Sequence, residues 1–326
     1  MRFELVPQDY HMKLENIGSA AVDAKDNVYV AVRGGSVPLV VFDKDGRYLR
    51  HMGGELAVRN AHDVHIDREQ NVFLLDGARH VVYKLDPEGK LIMTLGTLDR
   101  PAEDSGAING DYKTVRRAGS PFNAPTKVTT APGGDIYIAD GYGNCCVHRF
   151  SAKGEHILSW GAPGNGPGAL QIPHGICVDE QNGDVYVADR ENFRIQIFSG
   201  EGKLLNIWED IHRPTDVCIS GDYVYVSELG TLLFTDNITY DYRTRREHSK
   251  IRVFDKAGKE QARIGTADGG QAGSFFAVHG MCVDSEGCVW AAEVNNWDYA
   301  SFFTAWPGGV GMPTGRHPGL QKFRPV

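Results

Sequence analysis

Short apolar runs, each closed by a Gly, Asn or Asp turn, recur along the chain in a constant order. A first set occupies residues 18–23, 62–67, 126–131, 174–179, 215–220 and 279–284, each opening on a polar or small residue. Behind each comes a stretch with period-2 alternation, at 27–31, 71–76, 135–140, 184–189, 222–228 and 287–293. A third run follows, at 39–43, 81–86, 146–151, 195–199, 251–255 and 320–323, and a Gly-containing hairpin then leads to a fourth, as in 86–96. Alternation of this kind, broken by turn residues every few positions, is the mark of strands rather than helices. Six units of four strands predict an all-β chain folded as a six-bladed β-propeller, four antiparallel strands per blade, in one domain over residues 1–326. The sixth unit stops after its third strand, so an amino-terminal stretch around residues 10–15 is expected to supply the missing outer strand. Three insertions stretch the period, at 97–120, 230–249 and 294–319. Long loops on a rigid scaffold tend to carry function, and the third, rich in aromatic residues, is the expected lid or pocket wall.

Equivalent positions in a propeller lie at one height around its axis. The first position of the opening strand is Gly18, His62, Thr126, His174, Thr215 and His279 in units one to six. Histidine thus occupies every second blade, which places the three rings ~120° apart with their tips towards the axis. Three imidazoles with an open fourth position form a catalytic zinc-type ligand set. A single histidine at a strand opening is more simply a packed or capping residue; strict alternation is what points to a metal. The other histidines, His65, His148, His212 and His317 among them, show no such pattern. The acidic residue that ends the second strand (Asp76, Asp140, Asp189, Glu228, Glu293) reads as structural, a short carboxylate accepting backbone N–H groups at a turn. Unit one breaks that pattern with Arg33, followed by two glycines, and Arg190 holds the equivalent place in unit four. Either guanidinium can face the metal or a substrate anion, or simply be solvated or ion-paired. Tyr142 follows the same strand in unit three; alone it reads more readily as a packed tyrosine than as a catalytic one.

Composition narrows the partners. A formal net charge of −8 and a pI near 5.8 argue against nucleic acid and membrane surfaces, both of which ask for a basic face. No apolar run approaches the ~20 residues that span a bilayer. Six cysteines lack any Cys-x-x-Cys spacing, and three of them (Cys177, Cys218, Cys282) sit inside apolar strands. With no apolar leader segment visible at the amino terminus, a reduced, cytoplasmic protein acting on a small molecule is expected; self-association is left open.

Several phrases resemble the peptidyl-α-hydroxyglycine α-amidating lyase family, a family of NHL-repeat six-bladed propellers. The similarity is densest from residue 122 to 198, in Asn123-Ala-Pro-Thr, Ala139-Asp-Gly-Tyr-Gly-Asn, Ile172-Pro-His-Gly and Val187-Ala-Asp-Arg-Glu-Asn-Phe-Arg-Ile-Gln, with Val32-Arg-Gly-Gly in unit one. The resemblance implies a catalytic zinc held by His62, His174 and His279, an active-site arginine at Arg33 and a tyrosine base at Tyr142. Arg190 is a further candidate for binding substrate. The implied reaction cleaves the C–N bond of an N–CH(OH)–carboxylate to give an amide and a 2-oxo acid. A tyrosine serves as base only through its phenolate form, which a nearby cation favours. Three positions depart from the family. Ala277 replaces a methionine, Gly280 replaces an aspartate that ligates structural calcium, and Gly143 replaces a disulfide cysteine; calcium is therefore not expected. A small carbinol-bearing metabolite is the expected substrate. A zinc hydrolase or hydratase on the same three histidines, and a non-enzymatic NHL interaction propeller, are the alternative readings; a calcium lactonase would need oxygen ligands instead.

Overall fold

The computed structural model describes residues 1–8, 10, 14, 16–34, 36–230, 248–265, 273–294 and 319–326. Its strands form six separate four-stranded antiparallel sheets, a six-bladed β-propeller, with only short 3-10 turns besides among the described residues. The inner strands are Ile17–Val22, Ala61–Ile66, Pro125–Thr130, Pro173–Val178, Pro214–Ser220 and Val278–Val283, one per blade in chain order. The second strands, such as Val28–Val32 and Ile136–Asp140, are buried almost throughout, because each is covered by a neighbouring blade on both faces. Six apolar clusters fill the spaces between blades. Phe42 and Trp290 share one between the last blade and the first, while Phe73 and Ile138 share another between the second and third.

The last sheet closes the ring. Its order is Phe3–Val6, Leu320–Pro325, Val289–Glu293, Val278–Val283, and Phe3 to Val6 pair with Pro325 to Lys322. The outer strand therefore lies upstream of the 10–15 stretch expected to supply it. Of that stretch, Tyr10 and Leu14 are described, and both are buried in the cluster between the last and first blades. They lost the edge to Phe3–Val6 because an outer strand needs one face for solvent, and these two residues need burial. Of the long insertions, 97–120 is described; most of 230–249 and nearly all of 294–319, with the expected lid and His317, lie outside the described residues.

The acids that end the second strands brace the segments entering the inner strands. Asp76 accepts the backbone N–H of Arg59 and Asn60, Asp140 that of Asn123, Asp189 that of Gln171, Glu228 that of His212 and Glu293 that of Phe276. All five are fully buried, and charge-assisted bonds of this sort are worth roughly 1.5–3 kcal/mol each. Along the axis, the Lys127 ammonium lies 3.1 Å from Asp63 and 3.0 Å from Asp216. Asp63 also accepts Val128 N–H and Asp216 accepts Met281 N–H, so this trio ties blades two, three, five and six together. Burial works against the charge on Lys127, but the two carboxylates hold it above the ordinary lysine range. Replacing Lys127 by Met should leave two buried carboxylates uncompensated and cost about 3–5 kcal/mol. Urea unfolding of the two proteins checks this, and equal midpoints would show that the trio contributes nothing net.

Candidate metal centre

One backbone irregularity builds the site. In every blade the register between first and second strands slips by one residue at the same place: Ile17/Ser19, Ala61/Asp63, Pro125/Lys127, Pro173/Gly175, Pro214/Asp216 and Val278/Gly280. The residues skipped are Gly18, His62, Thr126, His174, Thr215 and His279. A bulged residue leaves the ladder, so its side chain and peptide can be re-aimed; here they turn to the axis. The three imidazoles stand close together there, with ring centroids 4.7, 4.8 and 5.1 Å apart, and 2%, 2% and 7% exposed for His62, His174 and His279.

Hydrogen bonds set the direction of each ring. Nδ1 of His62 faces the Thr126 carbonyl at 2.7 Å, that of His174 the Thr215 carbonyl at 2.7 Å, and that of His279 the Gly18 carbonyl at 2.6 Å. A carbonyl can only accept, so each Nδ1 carries the proton and each Nε2 offers a lone pair. The three ligand atoms lie within 4.8 Å of one another, the one such cluster among the described residues. Small ring movements would bring all three Nε2 atoms onto one ion. Neutral imidazoles with Nδ1 bound to carbonyls are a donor set that suits zinc and its transition-metal neighbours.

Two further side chains meet the same lone pairs. The Tyr142 hydroxyl lies 3.2 Å from Nε2 of His62 and 3.1 Å from Nε2 of His174. An Arg33 N–H donates to Nε2 of His279 at 2.9 Å. Tyr142 is held by the 97–120 insertion, where Ser105 donates to the Gly143 carbonyl and the Gly119 N–H to Asn144. A side chain at Gly143 would collide with that of Asn123. Arg190 stacks on Tyr142, its guanidinium carbon 5.4 Å from the ring centroid and Nη1 3.4 Å from the hydroxyl. Glu191 bridges Arg190 at 2.9 Å and Arg213 at 2.6 Å. Sequence reasoning passed over Glu191 and Arg213. The visible signal was the offset of Arg213, two residues before a bulge position, where it joins the wall around the site.

The NHL repeat family matches residues 122–150 and 170–198, which are blades three and four. The chain is 34% identical over 151 residues to peptidyl-alpha-hydroxyglycine alpha-amidating lyase 1 of Drosophila melanogaster, covering 42% of this chain and 25% of that protein. It is 30% identical over 226 residues to human NHL repeat-containing protein 3, covering 64% and 61%. Some relatives are thus named as lyases and others only by their repeats. The matched region spans between 21% and 61% of the length of these and the rat amidating monooxygenase relative. Among solved structures, virginiamycin B lyase of Staphylococcus aureus superposes with a TM-score of 0.59 at 14% identity, covering 100% of both chains; at that identity it shows the shared fold. No helix among the described residues is long and apolar enough to cross a membrane.

Burial, reinforced by Arg33 at His62 and His279 and by Arg190 at His174, holds all three imidazoles well below the ordinary histidine range. A histidine depressed in the folded state is protonated first in the unfolded state, so stability is lost as pH falls below about 6.5. Asp189 and Asp216, pushed up to about 6 by burial, act with the opposite sign. The metal-free protein should therefore melt lower at pH 5.5 than at pH 7, and His174→Asn should flatten that slope. Melting curves in chelator across this range check it; an unchanged slope in the variant would mean His174 is not held neutral.

Proposed function

We propose that this chain is a zinc-dependent carbon–nitrogen lyase acting on a small α-hydroxylated amide or ureide that bears a carboxylate. The observation that carries the reading is the meeting of three Nε2 lone pairs, one phenol and one guanidinium at a single buried point. The relatives named as amidating lyases support the same chemistry. Six cysteines without disulfide partners fit the reducing, cytoplasmic setting we propose with it, and so a metabolite rather than a secreted peptide.

His62, His174 and His279 would hold the metal through Nε2. Bound there, zinc supplies Lewis acidity at the substrate hydroxyl oxygen. Arg33 pairs with the carboxylate and orients the carbinol carbon. Tyr142 takes the hydroxyl proton; the C–O electrons form the carbonyl of a 2-oxo acid as the C–N bond breaks, and the same proton passes back to the departing amide nitrogen. Protons and charge then balance, with no water consumed. Arg190, stacked on the phenol, sits where it offsets negative charge on the Tyr142 oxygen while the proton is away. The Glu191 and Arg213 pair keeps Arg190 against the ring instead of across the site.

Wild-type protein should contain one equivalent of zinc and His174→Ala essentially none. Tyr142→Phe should keep the metal and lose about 10²–10⁴-fold in kcat, the usual share of one general base. Turnover in ¹⁸O-water should leave the carbonyl oxygen of the newly formed 2-oxo acid unlabelled when it is trapped faster than it exchanges with solvent. Prompt labelling would make the enzyme a hydrolase, and wild-type protein that takes up no zinc would end the metal reading altogether.

A further inference from the structure

The histidines are not oriented one by one. Each donates its Nδ1 proton to the bulge carbonyl of the next blade: His62 to Thr126, His174 to Thr215, His279 to Gly18. The bulges that carry no histidine then reach onward. The Thr126 hydroxyl is 2.8 Å from the carbonyl of Pro173, the residue before His174, and 3.1 Å from that of Ala139. The Thr215 hydroxyl is 3.0 Å from the carbonyl of Val278, the residue before His279, and 2.8 Å from the Ser227 hydroxyl, which can donate to it. At the third junction Gly18 carries no side chain. A Cβ there would collide with the carbonyl of Ala61, the residue before His62, and stand 2.7 Å from that of His62. Thr126, Thr215 and Gly18 are each buried.

Read around the axis, these contacts form a closed cycle: His62, Thr126, His174, Thr215, His279, Gly18 and back to His62. Each odd-numbered blade accepts the Nδ1–H hydrogen bond of one histidine and meets the backbone just before the next, through a donating hydroxyl in two blades and a close backbone approach at Gly18. We propose that Thr126, Thr215 and Gly18 are positioning residues for the metal, coupling the three imidazoles so that one blade cannot shift its ligand without shifting the next. Two hydroxyl links and one glycine contact do the same work at the three junctions. Glycine serves at the third because the inner strands of blades one and two approach too closely for any side chain. The inference rests on the metal reading above, and extends it to residues that never touch the ion.

The test compares Thr126→Val and Thr215→Val, which keep shape and lose the hydroxyl, with Thr126→Ser and Thr215→Ser, which keep it. Zinc affinity is read by competition with a chromophoric chelator, and thermal melting of the metal-free proteins is run beside it. Partners that orient metal ligands are worth 10–100-fold in affinity when removed; at one bond further out, each valine variant should bind zinc about tenfold more weakly. The serine variants should bind as wild type does. Gly18→Ala should weaken binding as well, through displaced backbone under His62. Valine variants that fold and bind as tightly as wild type would overturn the proposal, and so would serine variants as weak as the valines. A wild-type protein that binds no zinc would instead sink the metal reading, and this inference with it.

Discussion

The arrangement depends on a one-residue slip in each inner strand. The slip takes the histidine in three of the blades out of the pairing ladder, so that its side chain is aimed apart from those of its strand. With the slip, five side chains and the close-packed Gly18 are brought to one height. Alternate blades use the freedom differently, three presenting an imidazole and three a carbonyl that fixes the imidazole beside it. Because the irregularity repeats in all six sheets, the fold itself supplies the geometry, and the sequence only has to choose what stands at each bulge.

The surroundings hold that geometry from both sides. Upstream of the bulges, the acids ending the second strands pin the segments that lead into them, and blade one lacks such an acid beside Arg33, which turns to the site. Further along the axis, Lys127 between Asp63 and Asp216 links four blades with charges that burial makes expensive to separate. Between these two layers the imidazoles are buried, which disfavours their protonated form and leaves lone pairs to donate. Arg33 reaches His279, Arg190 lies against Tyr142, and Glu191 links Arg190 to Arg213.

Much of the fold was legible because a propeller writes itself as repetition. Period-2 runs, Asp-rich turns and the recurrence of opening phrases identified strands, blades and the equivalence of His62, His174 and His279. Resemblance added Arg33 and Tyr142, which local pattern could not raise above a packed or solvated side chain. The closing strand was misplaced for a local reason. Tyr10 and Leu14 look like strand residues, yet their bulk is needed in the cluster between the first and last blades, and the weaker-looking Phe3–Val6 takes the edge.

What the sequence determined by itself was the set of blades and the alternation of histidine with Gly or Thr at one position, since both are local and periodic. What only tertiary structure decided were the contacts between blades far apart in the chain. These include which ring nitrogen carries the proton, because that follows from carbonyls of the next blade. They include the stacking of Arg190 on Tyr142, and the burial of Lys127 between two aspartates of other blades. Periodicity tells which residues are equivalent; only the closed ring of six blades tells which of them touch.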